Sequence, residues 1–242
     1  IMIFKQKFLN VIKRIISFRG NKQEISINII KEKKMTNLVL EITFGCNLKC
    51  IMCSGNYNED KPRHLSFEKI KEILTKFKDL KQVTILGRGE PLIHPELDKI
   101  LQLFREKNLT TTIVSNIILL NEKNIYKLEC LNAFIVSIDG GTNETYRLMR
   151  GADLDEVIEK IKLLNTQKPN INIGVNYILT NRTAYEICDL LNRLKDTKVK
   201  YVELVHLIQF DEKLAKMSII DPLKYSLELK KAKKLAKRLK ID

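Results

Sequence analysis

Cysteine is scarce in this chain, five in 242 residues. So few, and an odd number, disfavour a disulfide framework. The first twenty residues lack the unbroken apolar centre of a secretory signal: Lys13 and Arg14 interrupt it, and no small-residue cleavage site follows. No apolar run reaches the roughly eighteen residues of a membrane span. Glycine and proline are few as well, nine and five, beside 44% hydrophobic and 30% charged residues; that balance fits an ordinary globular protein. No internal repeat or low-complexity linker is evident. These absences predict a cytoplasmic protein with one sizeable domain.

Acidic residues are outnumbered, 29 against 43 basic ones, for a net charge of +14. The excess lies at the two ends: residues 1–40 carry +7 and residues 222–242 carry +6, leaving +1 for the body between them. A nucleic-acid groove across the body is therefore not expected. Phe4, Phe8, Val11, Ile12 and Ile15 recur at helical spacing among Lys5, Lys7, Lys13, Arg14 and Arg19. Residues 1–35 thus read as a basic amphipathic segment preceding a core at 36–242. Such a helix can lie on an anionic membrane surface or pack against protein; packing is the expectation, and membrane contact is disfavoured.

Strand-like and helix-like stretches alternate along that core. Strands fit residues 38–44, 83–86, 110–114, 134–138, 171–179 and 199–207; helices fit 66–80, 95–107, 122–128, 154–165, 184–195 and 222–240. The alternation predicts parallel strands joined by right-handed crossovers, with helices outside. In such sheets the chemistry gathers beyond the carboxyl ends of the strands.

Three of the five cysteines sit just after the first strand, in Cys46-Asn-Leu-Lys-Cys50-Ile-Met-Cys53. Iron–sulfur clusters are usually held by four thiolates, so three leave one metal position open. An open position marks a catalytic site, as it does for zinc. A zinc site completed by His64 or His94, or a non-catalytic iron–sulfur protein, remains the alternative on these residues alone.

Strand, then Cys-x3-Cys-x2-Cys, resembles the signature of the radical SAM (S-adenosylmethionine) superfamily. The resemblance implies an α/β fold, an open (β/α)6 partial barrel with parallel strands. It implies a [4Fe–4S] cluster on Cys46, Cys50 and Cys53 whose fourth iron is chelated by S-adenosylmethionine. Reductive cleavage of that molecule makes a 5′-deoxyadenosyl radical, which abstracts hydrogen from substrate. No catalytic side chain beyond cluster and cofactor is implied, and a flavodoxin or ferredoxin is the implied electron donor.

Further segments extend the likeness. Gly87-Arg88-Gly89-Glu90-Pro91 resembles the family's Gly-Gly-Glu-Pro; glycine allows close approach to a ligand, and Glu90 offers a carboxylate to the ammonium of the methionine moiety. His94 fits a helix-opening role. Asn116 stands where the family has Thr-Asn-Gly, with Ile117 departing from the glycine. Ser137-Ile-Asp139-Gly140, Glu144-Thr-Tyr146 and Arg150-Gly151 resemble the branch that modifies peptides and proteins. The likeness places Ser137 and Asp139 near the ribose. Arg150 falls either on the methionine carboxylate or in a surface pair with Asp153 or Asp155, and Gly174 leaves room for adenine. Members of that branch often carry a cysteine-rich SPASM extension; with no cysteine after Cys188, it is expected to be absent or truncated.

Overall fold

The computed structural model describes residues 35–53, 62–209, 211–218 and 220–242, together with the backbone of Ile15–Ile16. The amphipathic segment read at residues 1–35 lies almost wholly outside the described residues. At Ile15–Ile16 the chain is a strand rather than helix. The chain divides into two compact units, one of Ile1–Cys46, Tyr57–Val114 and Lys127–Asn132, the other of Asn47–Asn56, Ser115–Tyr126 and Ala133–Asp242.

In the first unit, β1 (Ile15–Ile16), β2 (Asn37–Leu40), β5 (Gln82–Ile85) and β6 (Thr110–Ser115) pair in parallel. Leu38, Val83 and Thr111 are in register, as are Leu40, Ile85 and Ile113. Because side chains alternate, these six share a buried face. Two helices supply matching apolar faces. In α1 (Phe67–Thr75) the buried residues are Ile70, Ile73 and Leu74; in α2 (Leu97–Glu106) they are Leu97, Ile100, Leu101 and Phe104. The spacing is that of an amphipathic helix. Ser66 caps α1 by accepting from the Lys69 N–H at 3.3 Å.

Residues 38–44 do not form one strand. Pairing with β5 ends at Leu40, and Thr43–Phe44 becomes β3, antiparallel to β4 (Arg63–His64). The break falls at Glu41, whose side chain is buried and accepts the Arg88 backbone N–H at 2.5 Å.

In the second unit, β7 (Ala133–Ser137), β8 (Asn172–Leu179) and β9 (Tyr201–His206) are parallel and in register. Two helices join β7 to β8. The first, α3 (Asn143–Arg150), is a helix that the sequence pattern does not predict. Thr142 caps it by accepting from Thr145 N–H at 3.2 Å, and Gly151 ends it in the left-handed conformation at φ 72°. The second, α4 (Leu154–Gln167), is the expected helix with two more residues. Beyond β8 come α5 (Ile187–Leu194), the unexpected short α6 (Glu212–Met217) and α7 (Pro222–Leu239).

The helix expected at 122–128 is instead a 3-10 turn at Ile125–Leu128. Asn121 and Asn124 bond nearby backbone, accepting from Lys123 and Asn121 N–H at 2.9 Å each, and so compete with a regular helix start. Among the described residues, no helix is long and apolar enough to cross a membrane.

Candidate functional site

In the first unit the Gly87–Pro91 segment folds onto the turn that follows β2. A side chain at Gly89 would collide with the Thr43 carbonyl, and one at Gly87 with the Glu41 carboxylate. Both glycines are thus required by close approach to the chain itself, where a ligand approach was expected. The Glu90 N–H donates to Gly45 O at 2.9 Å, while its Oε1 accepts from Leu92 N–H at 3.0 Å and caps the 3-10 turn Pro91–Ile93. Arg88 lies with its guanidinium 5.4 Å from the Phe44 ring centroid and 3.9 Å from Glu41. Glu41 was missed from sequence; a lone carboxylate inside an apolar run was the available signal.

His94 is locked by two bonds. Its Nε2 lies 3.0 Å from Leu65 O, and its Nδ1 accepts the Glu96 N–H at 3.1 Å, just before α2. The role is helix-opening, as expected. The acceptor at Nδ1 makes Nε2–H the donor to Leu65, so the ring is neutral. Burial chiefly lowers the pKa of His94 below 6.5, and burial does the same for its edge-on neighbour His64. The folded chain then binds fewer protons than the unfolded chain between the depressed value and about 6.5. This contribution to stability is full above about pH 6.5 and lost as pH falls through that window. We expect the melting temperature to fall by a few degrees from about pH 7.5 to about pH 5.5. His94→Gln should be less stable at the higher pH and should show a flatter slope in the same thermal scans.

In the second unit, the loop carrying Cys50 and Cys53 is fastened to the end of α3. The Ile51 N–H donates to Met149 O at 2.9 Å, and Met52 packs with Met149, Leu207 and Leu214. Arg150 joins the attachment: its Nη1 reaches Cys50 Sγ at 3.8 Å, while Nε donates to Asp139 Oδ2 at 2.6 Å and Nη2 to the same oxygen. Asp139 Oδ1 accepts the Ile178 N–H at 2.7 Å, and the residue is 0% exposed. Asp139 therefore does not share an open strand face with half-buried Ser137, and it faces protein instead of a ribose. Arg150 is not a surface pair either; Asp153 goes to Arg147 and Asp155 to Arg193. Burial works against the charge of Arg150, but Asp139 and Cys50 outweigh it and raise its pKa.

Asn116 is buried. It donates to Asn47 Oδ1 at 3.0 Å and accepts the Ile118 N–H at 3.0 Å. Ile117 keeps the left-handed backbone that a glycine would take, at φ 63°, with its side chain fully buried. A side chain at Gly174 would collide with the Tyr201 ring, so the glycine admits that ring. Ser137, Asn176 and Glu203 align in register across β7, β8 and β9. Asn176 Oδ1 is buried without a hydrogen-bond partner, and burial raises the pKa of Glu203.

The donor set suits an iron–sulfur cluster: three thiols within eight residues, none in a disulfide, Cys46 exposed and the other two half-buried. Arg150 sets a positive charge beside one sulfur that would carry negative charge. Among the described residues, no three His, Cys, Asp or Glu side chains are gathered as a metal-holding set.

A model of the Radical SAM superfamily matches residues 40–194, more than half of the chain. The Fe-coproporphyrin III synthase of Methanosarcina barkeri is 27% identical over 184 residues, 74% of this chain and 45% of that protein. A GTP 3′,8-cyclase of Clostridium botulinum is 27% identical over 192 residues, 72% of this chain and 57% of that protein. The chain spans about half the length of the curated relatives it matches. Among solved structures, Streptococcus suis SuiB bound to its precursor peptide SuiA aligns with a TM-score of 0.69 at 20% identity, over 84% of this chain and 46% of that chain. The same protein bound to S-adenosylmethionine aligns with a TM-score of 0.70 at 19% identity, over 84% and 48%. The expected α/β fold of parallel strands and helices is the fold of these proteins.

Proposed function

This chain belongs to the radical SAM superfamily, and on that premise we propose that it is the core of an enzyme holding a [4Fe–4S] cluster on Cys46, Cys50 and Cys53 with S-adenosylmethionine. The observation that carries the reading is the three-cysteine loop at its place in the family match. When bound, cluster and cofactor supply one-electron reductive cleavage and hydrogen-atom abstraction. The chain's own residues position and shield. Glu90 would hold the cofactor's ammonium with its buried carboxylate, Asn116 and Ser137 would offer polar contacts at strand ends, and Asp139 would act through Arg150. A small reduced flavodoxin or ferredoxin is the proposed electron donor.

The substrate class we propose is a peptide or protein segment. The Ser137-to-Gly151 run, like that of the peptide-modifying branch, favours it over the porphyrin and nucleotide chemistry for which several curated relatives are named. Asn176 Oδ1, buried and unpartnered, would accept a peptide N–H.

The test is anaerobic reconstitution, reduction with dithionite and chromatographic detection of 5′-deoxyadenosine. Wild type should form it slowly without substrate, and Cys50→Ala should form none. Glu90→Gln should keep its iron and bind S-adenosylmethionine about ten- to a hundredfold more weakly by calorimetry, since a hydrogen bond to a charged group is worth roughly 1.5–3 kcal/mol. A fully loaded and reduced wild type that yields no product would sink the catalytic reading. Unchanged affinity in Glu90→Gln would reduce that carboxylate to a turn cap.

A further inference from the structure

Arg150 occupies an unusual position for a cation. It stands in the last turn of α3, where helix carbonyls carry the negative end of the dipole. Its fork is divided: one edge grips a carboxylate with no solvent exposure, and the other points at Cys50 Sγ at 3.8 Å. Asp139 is itself pinned by the Ile178 N–H, so the guanidinium is held by a fixed partner. Its side chain is only 12% exposed, so water screens it little. Close by, the buried Tyr146 hydroxyl has no hydrogen-bond partner; the charges of Arg150, Asp139 and Cys50 all act on it, although burial is the main cause of its raised pKa.

We propose that Arg150, held by Asp139, is a positioning residue that raises the reduction potential of the cluster on Cys50. The inference rests on the cluster assignment above and adds a role for the pair. Reduction adds one negative charge to cluster and thiolates. A fixed cation beside one of those sulfurs stabilises the reduced form, and charge and hydrogen bonds at the sulfurs are what set such potentials. Asp139 does not cancel the effect, because the guanidinium lies between the carboxylate and the sulfur. The carboxylate fixes the direction in which the positive end points.

The experiment is a redox titration of the anaerobically reconstituted chain, followed by electron paramagnetic resonance of the reduced cluster, after iron and sulfide have been counted. In Arg150→Gln the reduced-to-oxidised ratio at a given solution potential should fall about tenfold, a shift of 59 mV to more negative values for a one-electron couple. Arg150→Lys should recover most of that shift. Arg150→Gln leaves Asp139 buried without its cation, so the double variant Asp139→Asn/Arg150→Gln, which removes both charges, serves if the single variant does not fold and should shift in the same negative direction by a smaller amount. Variants that carry a full cluster at the wild-type potential would overturn the inference and leave the cluster assignment standing. A wild type that takes up no cluster would overturn both.

Discussion

Alanine at Cys46, Cys50 or Cys53, one substitution at a time, is expected to abolish stable cluster assembly, whereas Cys130→Ala and Cys188→Ala should each keep about four irons per chain, as a [4Fe–4S] cube requires. The two bystanders are occupied otherwise. Cys130 donates to Gln102 Oε1 at 3.1 Å, with Arg105 Nη1 3.6 Å from its sulfur. Burial and Glu228 push the Cys188 thiol up to about 11, so it stays protonated near neutrality and is a poor metal ligand. The measurement is iron and sulfide content after anaerobic reconstitution, with visible absorption as a second record. Loss in Cys188→Ala together with retention in Cys53→Ala would reverse the assignment.

The second large effect is on stability and needs no cofactor. Asp139→Ala removes the partner of a cation that is almost wholly buried and strands the Ile178 N–H. Breaking a buried pair from one side costs about 3–5 kcal/mol, because the remaining charge is uncompensated. For a chain of this length the melting temperature should drop by about 2–4 °C per kcal/mol. The double variant Asp139→Ala/Arg150→Met, which leaves no buried charge, should regain at least half of the loss. Thermal unfolding of the chain without metal decides the matter: a double variant no better than Asp139→Ala would mean that backbone bonds to Asp139, rather than the ion pair, hold this corner together.

Much of the fold was legible because its signals are local. The strands at 110–115, 133–137 and 172–179 are short apolar or β-branched runs, and the cap at Ser66 is a residue whose side chain bonds the next turn. Where the reading failed, a distant partner decided. Glu41 ends β2 because it meets Arg88 forty-seven residues later. Asp139 turns inward because Arg150 and Ile178 claim it. Tyr201, on the neighbouring strand, packs where a side chain at Gly174 would lie. Within the candidate site, the sequence singled out Glu90, Asn116 and Arg150, and the structure gives each a local hydrogen-bond partner. The sequence did not show the bond from Arg150 to Cys50, which joins residues a hundred positions apart.

Ile117 shows how one position can admit two distant solutions and little between them. A left-handed backbone costs a side-chain-bearing residue roughly 1–2 kcal/mol, whereas burying an isoleucine returns about 1.5–3 kcal/mol. Glycine escapes the first term and forgoes the second. Alanine pays the strain and recovers little of the burial, and valine only part of it. The mutational landscape at residue 117 therefore has two peaks, glycine and a large aliphatic, separated by a valley of small side chains. A chain that has crossed to isoleucine is held there by its pocket, and moving back one small step at a time runs downhill in stability before it climbs.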